Sequence, residues 1–422
     1  MNSKFIFDIR KCVACKACRV ACNIKNSWNI AARDIYVYNA EATPGLPVIS
    51  ISMACNHCQN AVCLDSCPSG AISKDTVTGA IILESSKCFG CQYCSWNCPF
   101  KAPKYDMRGR NMEKCNMCNQ SIKENQLPAC VNACPTGALS FGRYDSHDLP
   151  VWMYKEKLGP AVVLNGQQAG LTEIIPQRPD YKSQKVQNTK HVEWSLISFT
   201  LLSAASVTCF ISSFLNGKQN EIISLVILML AGLFSFFHLG KPWLSWRSLI
   251  NIRKSELSRE IAAYLAYMVS CIFAFLLPSE MTIIAGSLTG LILMLTIDRV
   301  YTRVDEKSAL HSGQVLLAAL TAIAFFSHSM LPLLFMAIIR FIFSMNTMRK
   351  KETGSYEYLF RFVRLAFIVI AVAGILSGKA DIAAASVLFV AGEMIDRFLF
   401  YMDFKTPFFM NGINFENQAE RL

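Results

Sequence analysis

Sixteen cysteines between Cys12 and Cys134 fall into four quartets, and thiolates at this spacing are ligands for iron–sulfur cubes. The quartets are Cys12, Cys15, Cys18 and Cys22; Cys55, Cys58, Cys63 and Cys67; Cys88, Cys91, Cys94 and Cys98; and Cys115, Cys118, Cys130 and Cys134. A C-x2-C-x2-C loop is short enough to wrap three corners of one cube, and the fourth cysteine of such a run reaches the neighbouring cluster. Pro68, Pro99 and Pro135 each follow the last cysteine of a quartet, and CPSGAI at Cys67 is echoed by CPTGAL at Cys134, so the segment repeats itself. The spacing predicts four [4Fe–4S] clusters. Zinc ribbons also use C-x2-C pairs, but they join thiolates two and two rather than three plus one. A disulfide framework is disfavoured too. The opening MNSKFIFDIRK has no apolar core of an export signal, and thiolates destined for iron must stay reduced, which points to cytosolic assembly.

The elements that hold these loops are expected to be small: short strands and one or two helices per half, with each cube acting as core. Phe5, Ile72, Ile81 and Ile82 read as packing around the clusters. His57 lies inside the second quartet and reads as a hydrogen-bonding neighbour, since histidine at a cluster replaces a cysteine and none is missing. Lys101, Lys104, Arg108 and Arg110 form a basic run that suits either a solvated face or a docking surface.

The remainder of the chain changes character. Of 422 residues only 17% are charged and 53% are hydrophobic, and the apolar share is concentrated from Trp194 onward. Eight apolar stretches follow, at about 194–215, 221–240, 260–278, 281–300, 309–328, 330–347, 359–377 and 381–402. Each approaches the roughly 20 residues that a membrane-spanning helix needs. Scattered Gly, Ala, Ser and Thr suit close packing of helices in lipid. The net charge of +11 sits between the apolar runs, where anionic headgroups lie, and no nucleic-acid motif accompanies it.

The fold class expected is therefore an α+β ferredoxin-like four-cluster domain followed by an all-α polytopic membrane domain of eight transmembrane helices. Residues 1–144 form the first domain, 145–190 an arm and linker, 191–410 the membrane domain and 411–422 a tail. Lys182, Lys185, Lys190, Lys241, Arg247, Arg253, Lys254, Arg259, Arg303, Lys307, Arg349, Lys350, Lys351 and Lys405 all fall on the ferredoxin side of the expected helices. Lys218 and Lys379 fall on the other. The positive-inside rule puts the ferredoxin domain and both termini on the cytoplasmic side of the inner (plasma) membrane.

Ionisable groups at membrane depth are candidates for function. His238, in FFHLGKPW, and Glu260, in SELSREIAAY, stand where a quinone headgroup could be held, and quinol oxidation needs groups that take protons. An interfacial histidine and a helix-start glutamate account for the same residues equally well. Glu393 and Arg397 are four apart and can pair with each other, while isolated Arg340 can pair with a nearby acid. His311 and His328 mark opposite ends of one stretch and His238 lacks a partner, so no haem is expected.

CVACKACRVAC, CNHCQNAVCLDSCPSGAI, CFGCQYCSWNCPFKAPKY and KCNMCNQSIKENQLPACVNACP resemble the iron–sulfur subunit of dimethyl sulfoxide reductase-type molybdoenzymes, and all sixteen ligand positions match. HVEWSLISFTLL, HLGKPW, SLINIRKSELSREIA, RVYTRVD and AGEMIDRFLFY resemble that enzyme's membrane anchor subunit, here fused into the same chain. The resemblance implies a crosswise pairing. Cys12, Cys15 and Cys18 would share a cluster with Cys134; Cys115, Cys118 and Cys130 with Cys22; Cys55, Cys58 and Cys63 with Cys98; and Cys88, Cys91 and Cys94 with Cys67. It also implies menaquinol binding near His238 and Glu260, with electrons passed to a separate molybdopterin-containing catalytic subunit. Membrane lipid and the quinone pool would be the other partners. Electron flow in the opposite direction, from a donor-oxidising partner into quinone, and a redox-sensing membrane scaffold are the rival functions.

Overall fold

The computed structural model describes residues 3–38, 49–143, 158–165, 194–217, 221–304, 315–327, 330–349 and 382–403, with isolated positions between 362 and 370. The tail at 411–422 and almost all of the arm at 145–190 lie outside the described residues, as does most of the seventh apolar stretch at 359–377. The chain divides into two compact units. One comprises Met1–Thr189, Trp243–Ser255 and Thr406–Leu422; the other comprises Lys190–Pro242 and Glu256–Lys405.

The first unit is built from short strands that brace cysteine loops. β1 (Ser3–Asp8) alternates along SKFIFD, which turns Phe5 and Phe7 inward and leaves Lys4 and Ile6 less covered. It pairs antiparallel with β8 (Leu139–Arg143) and parallel with β9 (Val162–Asn165), giving the order β8-β1-β9. Phe5 meets Phe141 edge-on across that pairing, with ring centroids 5.1 Å apart. Three two-stranded hairpins complete the sheet structure. They are β2 with β3 (Asp34–Tyr38 and Ile49–Met53), β4 with β5 (Ile72–Lys74 and Ile81–Leu83), and β6 with β7 (Lys104–Asp106 and Asn111–Glu113). Ile72 and Ile81 are buried, as the sequence predicts. In the β4–β5 turn the Asp75 carboxylate accepts the backbone N–H of Val77 and Thr78 and the Lys123 ammonium, the last at 2.7 Å. The Lys123 ammonium and the Thr78 N–H hold the Asp75 carboxyl well below the usual carboxylate range.

Beside a 3-10 helix at Pro242–Leu249, the described α-helices of this unit are single turns apart from α1 (Ala17–Asn26). The others are α2 (Val62–Ser66), α3 (Tyr93–Asn97), α4 (Asn119–Lys123) and α5 (Ala129–Asn132). Their lengths follow from the cysteine spacing. In every quartet the last two cysteines are four positions apart, which is about one helical turn. α1, α2, α3 and α5 are the turns that separate these pairs.

The second unit is helical. α6 (Trp194–Leu215), α8 (Glu256–Leu276) and α9 (Glu280–Val304) are joined by α7 (Glu221–Phe236), α10 (Val315–Phe326), α11 (Met330–Arg349) and α12 (Ile382–Asp403). Three segments among the described residues, Trp194–Leu215, Glu256–Leu276 and Glu280–Thr302, are long and apolar enough to cross a membrane. Small and hydroxyl residues let the backbones approach. Ser206 Oγ donates to the Ser224 carbonyl at 2.7 Å, and Tyr264 Oη donates to the Leu228 carbonyl at 2.7 Å.

Candidate functional site: four sets of thiols

Backbone conformation shapes each cysteine loop in the same way. The residue just before the second cysteine of every quartet is left-handed: Ala14 (φ 54°), His57 (41°), Gly90 (75°) and Met117 (62°). Three of these four are not glycine, and a side chain there costs about 1–2 kcal/mol. Such a turn directs successive N–H groups inward, which makes a concavity suited to anionic sulfur. Met117 N–H donates to Cys115 Sγ at 3.4 Å, Met112 N–H to Cys88 Sγ at 3.5 Å and Leu139 N–H to Cys134 Sγ at 3.4 Å. A second left-handed residue recurs three positions beyond the last cysteine in three quartets, at Gly70, Lys101 and Gly137.

The structure brings the sixteen thiols into four sets. Cys12 neighbours Cys15, Cys18 and Cys134. Cys22 neighbours Cys118 and Cys130, and Cys115 neighbours both Cys22 and Cys130. Cys55, Cys58, Cys63 and Cys98 line one cavity together with Pro99 and Lys114. Cys91 and Cys94 neighbour Cys67 and Cys88. Electrostatic interactions between sets put them in sequence: Cys18 acts on Cys22, Cys55 on Cys115, and Cys63 on Cys94. The order is thus the Cys12 set, the Cys115 set, the Cys55 set and the Cys88 set. One helical turn explains the exchange, because it carries the chain from the third cysteine of a quartet to the fourth, and these serve adjacent sets.

Every donor in these sets is a thiol, and the surrounding N–H and hydroxyl groups point at sulfur. Ser52 Oγ lies 3.5 Å from Cys18 Sγ and Ser69 Oγ lies 3.5 Å from Cys67 Sγ. Among the described residues no group of three or more His, Cys, Asp or Glu side chains closes on a single metal ion. Thiols ranged around a cavity suit a multi-iron cube, whereas a tetrahedral zinc ion needs its ligands gathered to about 2.3 Å. Burial pushes the Cys22 and Cys98 thiols up to about 11, so metal binding and loss of the thiol proton go together.

Two cations are buried among the thiols, and neither was singled out by the sequence. Lys114, 2% exposed, donates from Nζ to the carbonyls of Ile81 and Cys115, the latter at 2.9 Å, and also hydrogen-bonds Cys55. Burial pulls its pKa down, yet Cys55, Cys63 and Cys115 hold it above the ordinary lysine value. Arg33, 3% exposed, donates from Nη1 to Ser52 Oγ at 3.1 Å and lies 5.2 Å from the centre of the Phe5 ring. Its neighbours are Cys18, Cys22, Cys115 and Cys130. The only sequence signal was a charged residue directly before Cys115 and another directly before the strand Asp34–Tyr38. His57 accepts the Ile81 N–H on Nδ1 at 3.0 Å, and burial with Lys114 and Arg33 nearby pushes its pKa well down. It is a neutral hydrogen-bonding neighbour.

A third group was also missed. Asn251, Lys254 and Ser255 belong to the first unit although the flanking segments are apolar helices. Asn251 Nδ2 donates to the carbonyls of Asp65 and Cys67 at 3.1 and 2.9 Å. Ser255 Oγ donates to the Ser66 carbonyl at 2.9 Å, and Lys254 Nζ meets Asp65 Oδ1 at 2.9 Å.

Within the second unit, Glu260 is buried in the first turns of α8, and the charge acting on it is that of Asp298 in α9. His238 is half-buried two residues beyond α7. Asp298 also accepts the N–H groups of Val315 and Leu316 at 2.7 and 3.0 Å, capping α10. The expected pairing of Glu393 with Arg397 is replaced by another. Glu393 takes both terminal nitrogens of Arg340, which also meets Asp396 at 3.1 Å, and the Arg397 guanidinium lies over the Phe400 ring at 5.5 Å. A bidentate partner on a facing helix outcompetes a neighbour on the same helix because its planar fork matches the carboxylate.

Residues 47–144 match the family model of a 4Fe-4S dicluster domain. One subunit of the anaerobic dimethyl sulfoxide reductase of Haemophilus influenzae is 36% identical over 152 residues, which cover 33% of this chain and 74% of that protein. The thiosulfate reductase electron transfer subunit PhsB of Salmonella typhi is 33% identical over 36% of this chain and 82% of its own length. Protein NrfC of Escherichia coli is 31% identical over 36% of this chain and 75% of its own. With most of each relative's length matched, the chain belongs to the family of iron–sulfur electron-transfer subunits of the dimethyl sulfoxide reductase type.

Proposed function

We propose that this chain oxidises menaquinol in its helical unit and conducts electrons through four [4Fe–4S] clusters to a molybdopterin-containing catalytic subunit. The observation that carries the reading is the continuous order of four thiol sets, with the last of them gripped through Cys67 by the segment Trp243–Ser255. The ligands would be Cys12, Cys15, Cys18 and Cys134; Cys115, Cys118, Cys130 and Cys22; Cys55, Cys58, Cys63 and Cys98; and Cys88, Cys91, Cys94 and Cys67. When bound, each cluster supplies one-electron chemistry with little rearrangement. The chain's own residues keep water out, direct N–H and hydroxyl donors at sulfur and hold the sets in line.

Menaquinol oxidation releases two electrons and two protons. Glu260 is the proton acceptor in this reading, with Asp298 beside it to hold or pass a proton, and His238 positions the quinol hydroxyl. The Arg340–Glu393–Asp396 network is structural. Eight spans within 191–410, with the four-cluster domain at 1–144 facing the cytoplasm, accord with the three long apolar helices and with the basic residues between apolar runs. Trp243 and Trp246, both exposed, suit the interfacial region of a bilayer.

The test is anaerobic addition of a reduced menaquinone analogue to membranes carrying the chain, followed by cluster absorbance and low-temperature electron paramagnetic resonance. Reduction of the clusters that stops in Glu260→Gln supports the reading. Clusters that dithionite reduces and the quinol does not would overturn the quinol half of it.

A further inference from the structure

Arg33 and Lys114 are the two fully buried cations among the described residues of the first unit. Among those residues neither makes an ion pair with a carboxylate. Their partners are neutral or sulfur: Arg33 has the Ser52 hydroxyl and the Phe5 ring, Lys114 the Ile81 and Cys115 carbonyls and Cys55. Their positions are also uneven. Arg33 reaches the Cys12 set through Ser52, whose hydroxyl lies 3.5 Å from Cys18 Sγ, and its charge also acts on Cys22, Cys115 and Cys130. Lys114 lines the cavity of the Cys55 set and donates to the Cys115 carbonyl at 2.9 Å. At the Cys88 set, by contrast, the groups acting most strongly on Cys91 and Cys94 are other thiols and backbone N–H. Ser69 Oγ near Cys67 and the Met112 N–H near Cys88 are neutral donors.

Resting on the reading of these sets as cluster ligands, we propose that Arg33 and Lys114 raise the reduction potentials of three clusters and leave the Cys88-set cluster without that lift. Reduction adds one negative charge to a cluster. A fixed positive charge a few ångströms away in a water-poor interior stabilises the reduced form far more than it would in solvent. A charge-assisted hydrogen bond to a ligand sulfur acts in the same direction. Because each cation reaches two sets, it lifts two sites together. The Cys88 set is the one held by Asn251, so the charges tilt the wire away from the segment Trp243–Ser255 and toward the Cys115 set, which both cations flank. Buried charge thereby favours electrons leaving the Cys88 set for the interior of the wire.

The test is a redox titration by electron paramagnetic resonance on membranes carrying the full chain, with iron counted on the same samples. Lys114→Gln retains donors for the Ile81 and Cys115 carbonyls while removing the charge. It is expected to weaken reduction of the Cys55-set and Cys115-set clusters at least tenfold, about 59 mV for a one-electron couple. The Cys88-set signal, identified by its alteration in Cys67→Ser, should not move. Arg33→Gln should do the same to the Cys12 and Cys115 sets, and Arg33→Lys should restore them. Full iron content with four unmoved midpoints in both neutral variants would overturn the inference while leaving the cluster reading intact. So would loss of iron in both neutral variants with no potential shift in any loaded fraction. Iron missing from the unaltered chain would instead overturn the cluster reading itself.

Discussion

Asn251 donates a hydrogen bond to the Cys67 carbonyl at 2.9 Å across 184 residues of sequence. The same amide donates to the Asp65 carbonyl, so one side chain closes the C-terminal end of the helical turn that presents Cys63 and Cys67. The last carbonyls of a helix lack internal partners. Here they are satisfied by a segment that lies in sequence between two apolar helices.

Asn251→Leu removes that donor and leaves two carbonyls unpaired, at a local cost of about 1–3 kcal/mol. The expected outcome is full iron content with an altered line shape for the Cys88-set cluster and slower reduction by quinol. Electron paramagnetic resonance before and after quinol addition checks it. Ser255→Ala, which removes one neutral bond, should do less.

Crosswise sharing of cysteines makes a pairing prediction. Cys22→Ser and Cys118→Ser should alter the same resonance, although they belong to different quartets. Cys134→Ser should match Cys15→Ser, and Cys67→Ser should match Cys91→Ser. Pairing by quartet would instead group Cys22→Ser with Cys15→Ser, and the spectra of single variants separate the two patterns.

Arg340 joins Glu393 and Asp396 in the apolar interior of the helical unit. Removing one member of a buried ionic group leaves charge without compensation and costs about 3–5 kcal/mol. Arg340→Met should therefore lower the unfolding temperature of the detergent-solubilised protein markedly. Arg340→Met combined with Glu393→Leu and Asp396→Leu should recover much of the loss. If the single and triple variants unfold alike, the network is not a stabilising neutralisation.

Much of the site was legible because cysteine spacing is a strict geometric signal. A gap of two residues fixes a loop around a cube corner, and the constant gap of three residues fixes a helical turn. The burial of Phe5, Ile72 and Ile81 was legible because apolar side chains beside the cysteine loops have the clusters to pack around. Arg33 and Lys114 were not, since an isolated charge in sequence reads as solvated until long-range folding encloses it. Asn251 was hidden for a related reason: its partners at Asp65 and Cys67 are far away in the chain. The pairing of Glu393 with Arg397 was misread because helical spacing favours neighbours on one helix, whereas the pairing of Arg340 with an acid was expected from its isolation without saying which acid.

Replacing the proton acceptor tests the chemistry in the helical unit. Glu260→Gln keeps shape and removes the carboxylate, so quinol oxidation should slow by about 10²–10⁴-fold, the usual scale for loss of a general base. Dithionite should still reduce every cluster. An unchanged quinol rate would remove Glu260 from the reaction.

The most direct test of the central claim is an anaerobic count of iron and electrons on purified protein in lipid. The account predicts sixteen irons, from four cubes, and about four electrons accepted per molecule, with a menaquinol analogue able to deliver electrons without dithionite. Zinc in place of iron, fewer cubes, or clusters that never respond to quinol would contradict it.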